Sequence, residues 1–333
     1  MTPLIDTYGR KHRDLRVSLT DRCSLRCTYC MPHDFAAWLP SEHLLTTDEL
    51  LSVLEVAIAE GIDEVRLTGG EPLLRPDIVD IVARINELPN APKLSLTTNG
   101  LRLAELAGPL ADAGLSRVNV SLDTLDWERF KVMTFRDRID DVFKGLVAAQ
   151  KAGLSPIKIN TVLMRDVNDD EAPELLRWAL AEGFSLRFIE QMPLDAGGIW
   201  NRSTMVTADE IFAALSTKYV LTPAERRGSA PAEEFYINGG SETVGIIASV
   251  TRPFCGSCDR LRLTSDGQLR SCLFSHVEMD LRSVLRNKEL STKEIHQEIT
   301  ERFQKTVFSK LPGHGINDPS FIQPLRPMSA IGG

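Results

Sequence analysis

The chain has 333 residues, 43% apolar, 25% charged and 6% aromatic, which suits one large folded domain with a smaller one attached and excludes collagenous, disordered and disulfide-dense classes. Lys plus Arg is 38 against 46 Asp plus Glu; the net charge of -8 argues against a generally basic nucleic-acid binder while leaving room for a local anion site. No apolar run approaches the roughly 18 residues that span a bilayer, and Met1 to Asp14 is polar, so the expected setting is the cytoplasm, with no membrane partner.

From Leu15 to about Pro193 one pattern recurs: a β-branched or alternating run, a polar turn, then an amphipathic stretch that closes at a glycine. The runs Leu15 to Thr20, Glu64 to Thr68, Lys93 to Thr97, Arg117 to Leu122, Ile157 to Leu163 and Ser185 to Glu190 predict strands. Between them, Asp48 to Glu60, Asp77 to Leu88, Leu103 to Ala113, Asp140 to Ala152 and Glu171 to Glu182 repeat apolar residues at three and four and predict helices. Thr46 with Glu49 fits a capping box, and Gly61, Gly114, Gly153 and Gly183 stand where a left-handed helix stop is easiest. Strands alternating with helices imply a parallel sheet with right-handed crossovers, and six such units predict an α/β fold, an incomplete (βα)6 TIM-type barrel with one open side. After Thr207 the character changes to one helix at Asp209 to Leu215, a strand at Val244 to Val250 and a hairpin at Arg260 to Cys272 turning at Asp266 and Gly267. Helices follow near Glu278 to Leu285 and Lys293 to Val307, and the tail from Leu311, rich in Gly and Pro, should wrap over a surface. The expected division is a barrel over 1–206 and a C-terminal α+β region over 207–333.

Six cysteines fall into two triads at opposite ends of the chain, a placement that suits metal ligands better than disulfides. The first is C-S-L-R-C-T-Y-C, Cys23, Cys27 and Cys30, directly after the first predicted strand. A structural zinc site needs four protein ligands, whereas a 4Fe-4S cubane held by three thiolates keeps one iron open to substrate. This spacing, with an aromatic before the last cysteine, resembles the signature of the radical S-adenosylmethionine superfamily. Gly69-Gly70-Glu71-Pro72, Thr97 to Gly100, Ser121 to Thr124 and Met192-Pro193 end later strands, on the rim where barrel chemistry is expected. The second triad is Cys255, Cys258 and Cys272, with His276 four residues further on; C-x2-C then C-x3-H also fits zinc, and spacing alone leaves zinc and a second open cluster standing. Arg260 and Arg262 flank Leu261 on one strand face, and two guanidiniums beside a metal site suit a polyphosphate or carboxylate. Arg16, Arg66, Lys158 and Arg187 fall within predicted strands, where charge is costly without a partner, and together they predict a small anion in the lumen.

The segments L-R-V-S-L-T-D-R-C-S-L-R-C-T-Y-C-M-P, R-L-T-G-G-E-P-L-L-R and C-G-S-C-D-R-L-R-L-T-S-D-G-Q-L-R-S-C-L-F and the terminal I-G-G together resemble the GTP 3',8-cyclase family, which acts first in molybdenum cofactor biosynthesis. The resemblance spans nearly the whole chain. It implies a 4Fe-4S cluster on Cys23, Cys27 and Cys30 that binds S-adenosylmethionine, and a second on Cys255, Cys258 and Cys272 that meets substrate, with His276 a bystander. It places Tyr29, Gly70, Ser121 and Met192 at S-adenosylmethionine. It places Arg16, Arg66, Thr97, Lys158, Arg260, Leu261 and Arg262 at GTP, with Arg187 nearby. Arg260, Arg262, Gly332 and Gly333 are the implied catalytic groups, the last two on a tail that reaches the active site. The implied reaction removes hydrogen from C3' of the ribose and joins that carbon to C8 of guanine, giving 3',8-cyclo-7,8-dihydroguanosine triphosphate. Implied partners are a separate electron donor and a downstream cyclic pyranopterin monophosphate synthase, with a homodimer as one assembly open to the chain. Ser24, Leu25 and Asp259 depart from the family pattern, which has Asn, an aromatic and commonly Asn there. The competing readings are a radical enzyme that modifies peptides with an auxiliary cluster and a non-enzymatic iron-sulfur carrier.

Overall fold

The structure, a computed structural model, describes residues 3–31, 38–195, 198, 200–224 and 227–332. Its order is β1 (Asp14–Ser18), α1 (Thr47–Ala59), β2 (Glu64–Thr68), α2 (Ile78–Asn86), β3 (Lys93–Thr98), α3 (Leu103–Asp112), β4 (Arg117–Ser121), α4 (Trp127–Thr134), α5 (Ile139–Lys151), β5 (Ile157–Val162), α6 (Ala172–Ala181) and β6 (Ser185–Ile189). It continues with α7 (Ala208–Ser216), β7 (Leu221–Pro223), β8 (Glu233–Ile237), β9 (Thr243–Ile247), β10 (Arg260–Leu263), β11 (Gln268–Arg270), β12 (Met279–Asp280), α8 (Arg282–Leu285), α9 (Thr292–Phe308) and α10 (Met328–Ile331). All strands join one sheet in the order β12-β11-β10-β1-β2-β3-β4-β5-β6-β9-β8-β7. The six expected strands lie side by side and parallel, as right-handed βα units require. The later strands lengthen that sheet at both edges, since β10 pairs parallel with β1 and β9 parallel with β6.

Alternation along each strand divides apolar core from polar lumen. Leu15, Val17, Val65, Leu67, Leu94, Leu96, Val118, Val120, Ile159, Leu186 and Phe188 pack outward under the helices, while the residues between them face the lumen. The register then stacks like on like: Arg16 stands beside Arg66 on one side and Arg262 on the other, and Asn119 beside Lys158. Helix starts and stops follow the sequence signals. Thr46 and Glu49 close a reciprocal capping box on α1, and Gly61, Gly114, Gly153 and Gly183 all take positive φ after a helix.

The pattern missed several elements. The short helix α4 begins at Asp126, whose carboxylate caps Arg129 N, and ends at Phe135 in the left-handed region. β7 and β8 form a hairpin at the β9 edge. The helix expected over Glu278 to Leu285 is instead the strand β12 followed by the single turn α8, because Met279 and Asp280 pair with Leu269 and Gln268. The tail does not merely wrap a surface: it ends in the turn α10, with Ile331 buried. Glu190, fully buried at the end of β6, accepts from Ala208 N at 2.7 Å, Val250 N at 2.8 Å and Thr251 N at 2.9 Å, and so fastens α7 and the segment after β9 to the barrel. Among the described residues no helix is long and apolar enough to cross a membrane.

Candidate functional site

Three places on this frame gather the chemistry-bearing residues. At the C-terminal ends of the strands, a cavity of about 200 Å³ is lined by Cys23, Cys27 and Cys30 together with Tyr29, Gly70, Ser121 and Met192, so the first triad and all four expected S-adenosylmethionine contacts meet there. Thr97, expected at GTP, also lines this cavity. The loop carrying the triad is held by backbone bonds: Arg26 N donates to Thr134 O and Thr28 N to Met133 O, both at the end of α4. Tyr29 OH donates to Asp123 Oδ2 at 2.7 Å, and Asp123 Oδ1 accepts from Val162 N at 2.9 Å. Burial raises the Asp123 carboxyl to about 6.

Gly69 and Gly70 let two backbones pass close. A Cβ on Gly70 would stand 2.3 Å from Arg22 O and one on Gly69 2.5 Å from Thr20 O, so both positions exclude a side chain. What they admit is the loop after β1, since Gly70 N donates to Thr20 O and Glu71 N to Arg22 O, each at 2.7 Å. Glu71 is buried, accepts from Thr98 Oγ1 at 2.6 Å, Asn99 N at 2.7 Å and Leu73 N at 2.9 Å, and is pushed up to about 7 by that burial. Asn99 Nδ2 in turn lies 3.0 Å from Ser24 Oγ and 3.7 Å from Cys23 Sγ.

The second place is at the opposite, N-terminal ends of the strands. A pocket of about 370 Å³ is lined by Arg16, Arg66, Lys158, Arg187 and Arg260, with Arg117 and Arg227 added. Burial, reinforced by Arg66, lowers Arg16 to about 9, and burial lowers Arg66 to about 10 and Lys158 to about 8. Arg16 Nε is buried without a hydrogen-bond partner among the described residues. Cations grouped this closely, their charge disfavoured first by burial and then by one another, suit a multiply charged anion. The two cavities share a wall, because Asn119 Nδ2, on the lower side, lies 3.3 Å from Thr97 Oγ1 on the upper.

Arg262 lies between them. It is buried, is lowered to about 9 by burial and by Arg16, and donates Nη1 to Gly332 O. Gly332 has φ of 83° and sits so close to β1 that a Cβ would stand 2.2 Å from Ser18 Oγ, with Thr68 on the other side. The chain end is thus threaded into the lumen. Gly333 lies outside the described residues. Leu261, expected at GTP, is fully buried and its side chain packs in the apolar core.

In the third place, Cys255, Cys258 and Cys272 line a cavity of about 420 Å³ near the tail, together with His276 and Lys310. His276 is exposed, with Nε2 3.0 Å from Ile322 O. Lys310 Nζ lies 3.7 Å from Cys258 Sγ and donates to Arg260 O at 2.6 Å. Arg10 bridges the cavity wall, donating to Cys255 O and Leu311 O, both at 2.7 Å, while Asp6 holds its Nε at 2.5 Å. Three thiols per cavity, each set without a fourth cysteine, are by their chemistry the donor set of an open iron-sulfur cluster. Asp123, Glu71, Asn99, Arg10 and Lys310 escaped the sequence reading of individual roles. Only the first three sat in strand-end turns that could have flagged them.

A family model of the Radical SAM superfamily matches residues 17–179, and one described as Molybdenum Cofactor Synthesis C matches residues 184–315. The chain is 56% identical to GTP 3',8-cyclase of Streptomyces coelicolor, over 99% of this chain and 96% of that protein. It is 52% identical to GTP 3',8-cyclase of Mycolicibacterium smegmatis, over 99% and 92%. Among solved structures, anSMEcpe with bound AdoMet superposes with a TM-score of 0.58 at 17% identity, over 89% of this chain and 84% of that one. Streptococcus suis SuiB bound to S-adenosylmethionine gives 0.58 at 14% identity; the match takes in 82% of this chain and 64% of SuiB's length. These two likenesses concern the fold.

Proposed function

The chain belongs to the GTP 3',8-cyclase family of radical S-adenosylmethionine enzymes, and from that premise we propose how its own residues divide the work. The reaction is the cyclisation of GTP to 3',8-cyclo-7,8-dihydroguanosine triphosphate, the first step of molybdenum cofactor biosynthesis, with two 4Fe-4S clusters and S-adenosylmethionine as cofactors. Cys23, Cys27 and Cys30 hold one cluster and Cys255, Cys258 and Cys272 the other. When bound, the first cluster with S-adenosylmethionine supplies the one-electron chemistry that removes a hydrogen atom from carbon.

Tyr29, Gly70, Ser121 and Met192 bind S-adenosylmethionine in the upper cavity. Arg16, Arg66, Lys158, Arg187 and Arg260 hold the triphosphate in the lower pocket, and Thr97 meets the nucleoside at the shared wall. Arg262 and Gly332 act from the lumen between the two cavities and keep water out, and Gly333, outside the described residues, is assigned to the same catalytic group. The observation that carries this division is the shared wall, Asn119 to Thr97, which puts an anion site and a thiol-lined cavity at two ends of one lumen. An anion anchored at the lower end presents its ribose toward the upper one, and fixed orientation of this kind lowers a barrier by removing the entropy of encounter. Functionally the chain divides into 1–206, which binds S-adenosylmethionine, and 207–333, which carries the second triad and the closing tail. A separate electron donor is required, the product passes to cyclic pyranopterin monophosphate synthase, and the setting is the cytoplasm. A homodimer is left to sedimentation. Mass analysis of the product from GTP under anaerobic, reducing conditions tests the reading: the cyclised triphosphate is expected, and unchanged GTP alongside cleaved S-adenosylmethionine would refute it.

A further inference from the structure

We propose that Lys310 is a positioning residue for the second triad, its ammonium fixed against Cys258 Sγ to offset the negative charge of the thiolate-held cluster and raise that cluster's reduction potential. The proposal rests on the reading that Cys255, Cys258 and Cys272 hold a 4Fe-4S cluster.

A lysine ordinarily keeps its head in water while its stem lies along the protein, yet Lys310 is only 4% exposed. Its Nζ has two acceptors, Arg260 O at 2.6 Å and Cys258 Sγ at 3.7 Å. Burial opposes its charge most and lowers its pKa; Cys258 and Cys272 favour the charge, and Arg10 and Arg260 oppose it. Asp6 balances Arg10 and Asp14 lies 3.6 Å from Arg260, which leaves the thiols as the groups placed to balance the buried ammonium itself. The backbone beneath the side chain is held. Lys310 follows Ser309, the cap of α9, and the carbonyls of Leu311 and Pro312 are clamped by Arg10 at 2.7 and 3.3 Å, the same guanidinium that holds Cys255 O. Asp6 fixes Arg10 in turn, accepting its Nε at 2.5 Å and its backbone N at 2.9 Å. The N-terminal segment therefore locks both a cysteine loop and the ammonium that faces it. At the first triad Cys23 Sγ meets the neutral amide of Asn99, and the cation that acts on it, Arg26, donates to Cys23 O rather than to the sulfur. Hydrogen bonds and positive charge at cluster sulfurs stabilise the reduced form, which carries one more electron.

The test is an anaerobic, mediated redox titration of the full-length holoenzyme followed by electron paramagnetic resonance, with Cys272→Ser protein identifying which signal belongs to the second cluster. Lys310→Met should lower the equilibrium constant for one-electron reduction of the second cluster at least tenfold, 59 mV, and leave the first unchanged. Lys310→Arg should restore it to within threefold. An unmoved potential in Lys310→Met protein with full iron content would overturn the proposal. Should Lys310→Met and Lys310→Gln both lose the second cluster, retention at the original potential in Lys310→Arg would uphold the role of charge. Loss in Lys310→Arg as well would make Lys310 a structural strut and overturn it. Zinc in place of iron at the second triad of the unsubstituted protein would show instead that the reading of the triad had failed, and the proposal would fall with it.

Discussion

Two triads of the same thiols differ in the charges set against their sulfurs. At the first, burial raises Cys23 to about 11 and Cys30 to about 12, burial also raises Cys27, and the nearby acids Glu71 and Asp123 add to the effect. At the second, burial raises Cys255 as well, but at Cys258 Lys310 and Arg260 offset burial and hold the thiol below its ordinary value. Ligand spacing therefore does not define a cluster site; the shell around the sulfurs does. A cluster beside acids is harder to reduce, which suits a strongly reducing centre. One backed by cations suits contact with an electron-rich or anionic ligand.

The most severe break of this comparison is to remove one triad at a time. Cys30→Ser should abolish S-adenosylmethionine cleavage, whereas Cys272→Ser should lose the second cluster, about four of about eight irons, and keep some cleavage while forming no cyclised product. Iron analysis and chromatography of 5'-deoxyadenosine read both; equal loss of cleavage in the two variants would erase the distinction. Deleting Gly332 and Gly333 should leave both clusters and S-adenosylmethionine binding intact yet stop product formation, because Gly332 O is the acceptor for Arg262. Full turnover by the truncated enzyme would make the tail dispensable, as chain ends usually are.

A subtler change sharpens the contrast on the acidic side. Glu71 has a folded pKa of about 7 against an ordinary 4.5, so its ionisation opposes folding: the stability it permits is fully present below pH 4.5 and is lost as pH rises through 7. Across that window the cluster-free protein should lose about 3 kcal/mol relative to Glu71→Gln, measured by denaturant unfolding. His12, held neutral to about 4 by burial, works in the opposite sense, which is why the variant difference rather than the raw pH profile is the readout. A difference that does not change with pH would mean Glu71 is ionised throughout. On the cationic side, Arg260→Ala or Arg262→Ala should weaken GTP binding by roughly 1.5 to 3 kcal/mol by calorimetry, with cluster content unchanged. Unaltered affinity in both would move the triphosphate elsewhere. Least of all, His276→Ala should keep both clusters, since its Nε2 is turned to Ile322 O; zinc lost with His276 would reassign the second triad.

The barrel was legible because each unit carries its own period, caps and glycine stop, as Thr46, Glu49 and Gly61 illustrate. Pairing between distant segments was not. Nothing in the local pattern of Met279 and Asp280 says that β11 will recruit them as a strand, and nothing near Leu311 says that its carbonyl meets Arg10. The same limit holds at the site. Cys23, Cys27 and Cys30 announce themselves by spacing, whereas Lys310 acquires meaning only when 52 positions of chain fold it onto Cys258. Arg16 and Arg66 were readable as costly charges in apolar strands. That they face the end of the barrel opposite the first triad required the register.

The central claim is that the two ends of this lumen act on one GTP molecule. Incubating the anaerobic, reduced enzyme with S-adenosylmethionine and GTP carrying deuterium at C3' tests it directly, by mass analysis of the 5'-deoxyadenosine released. The account predicts one deuterium transferred to 5'-deoxyadenosine together with formation of the cyclised triphosphate. Unlabelled 5'-deoxyadenosine from this substrate, with or without product, would contradict it.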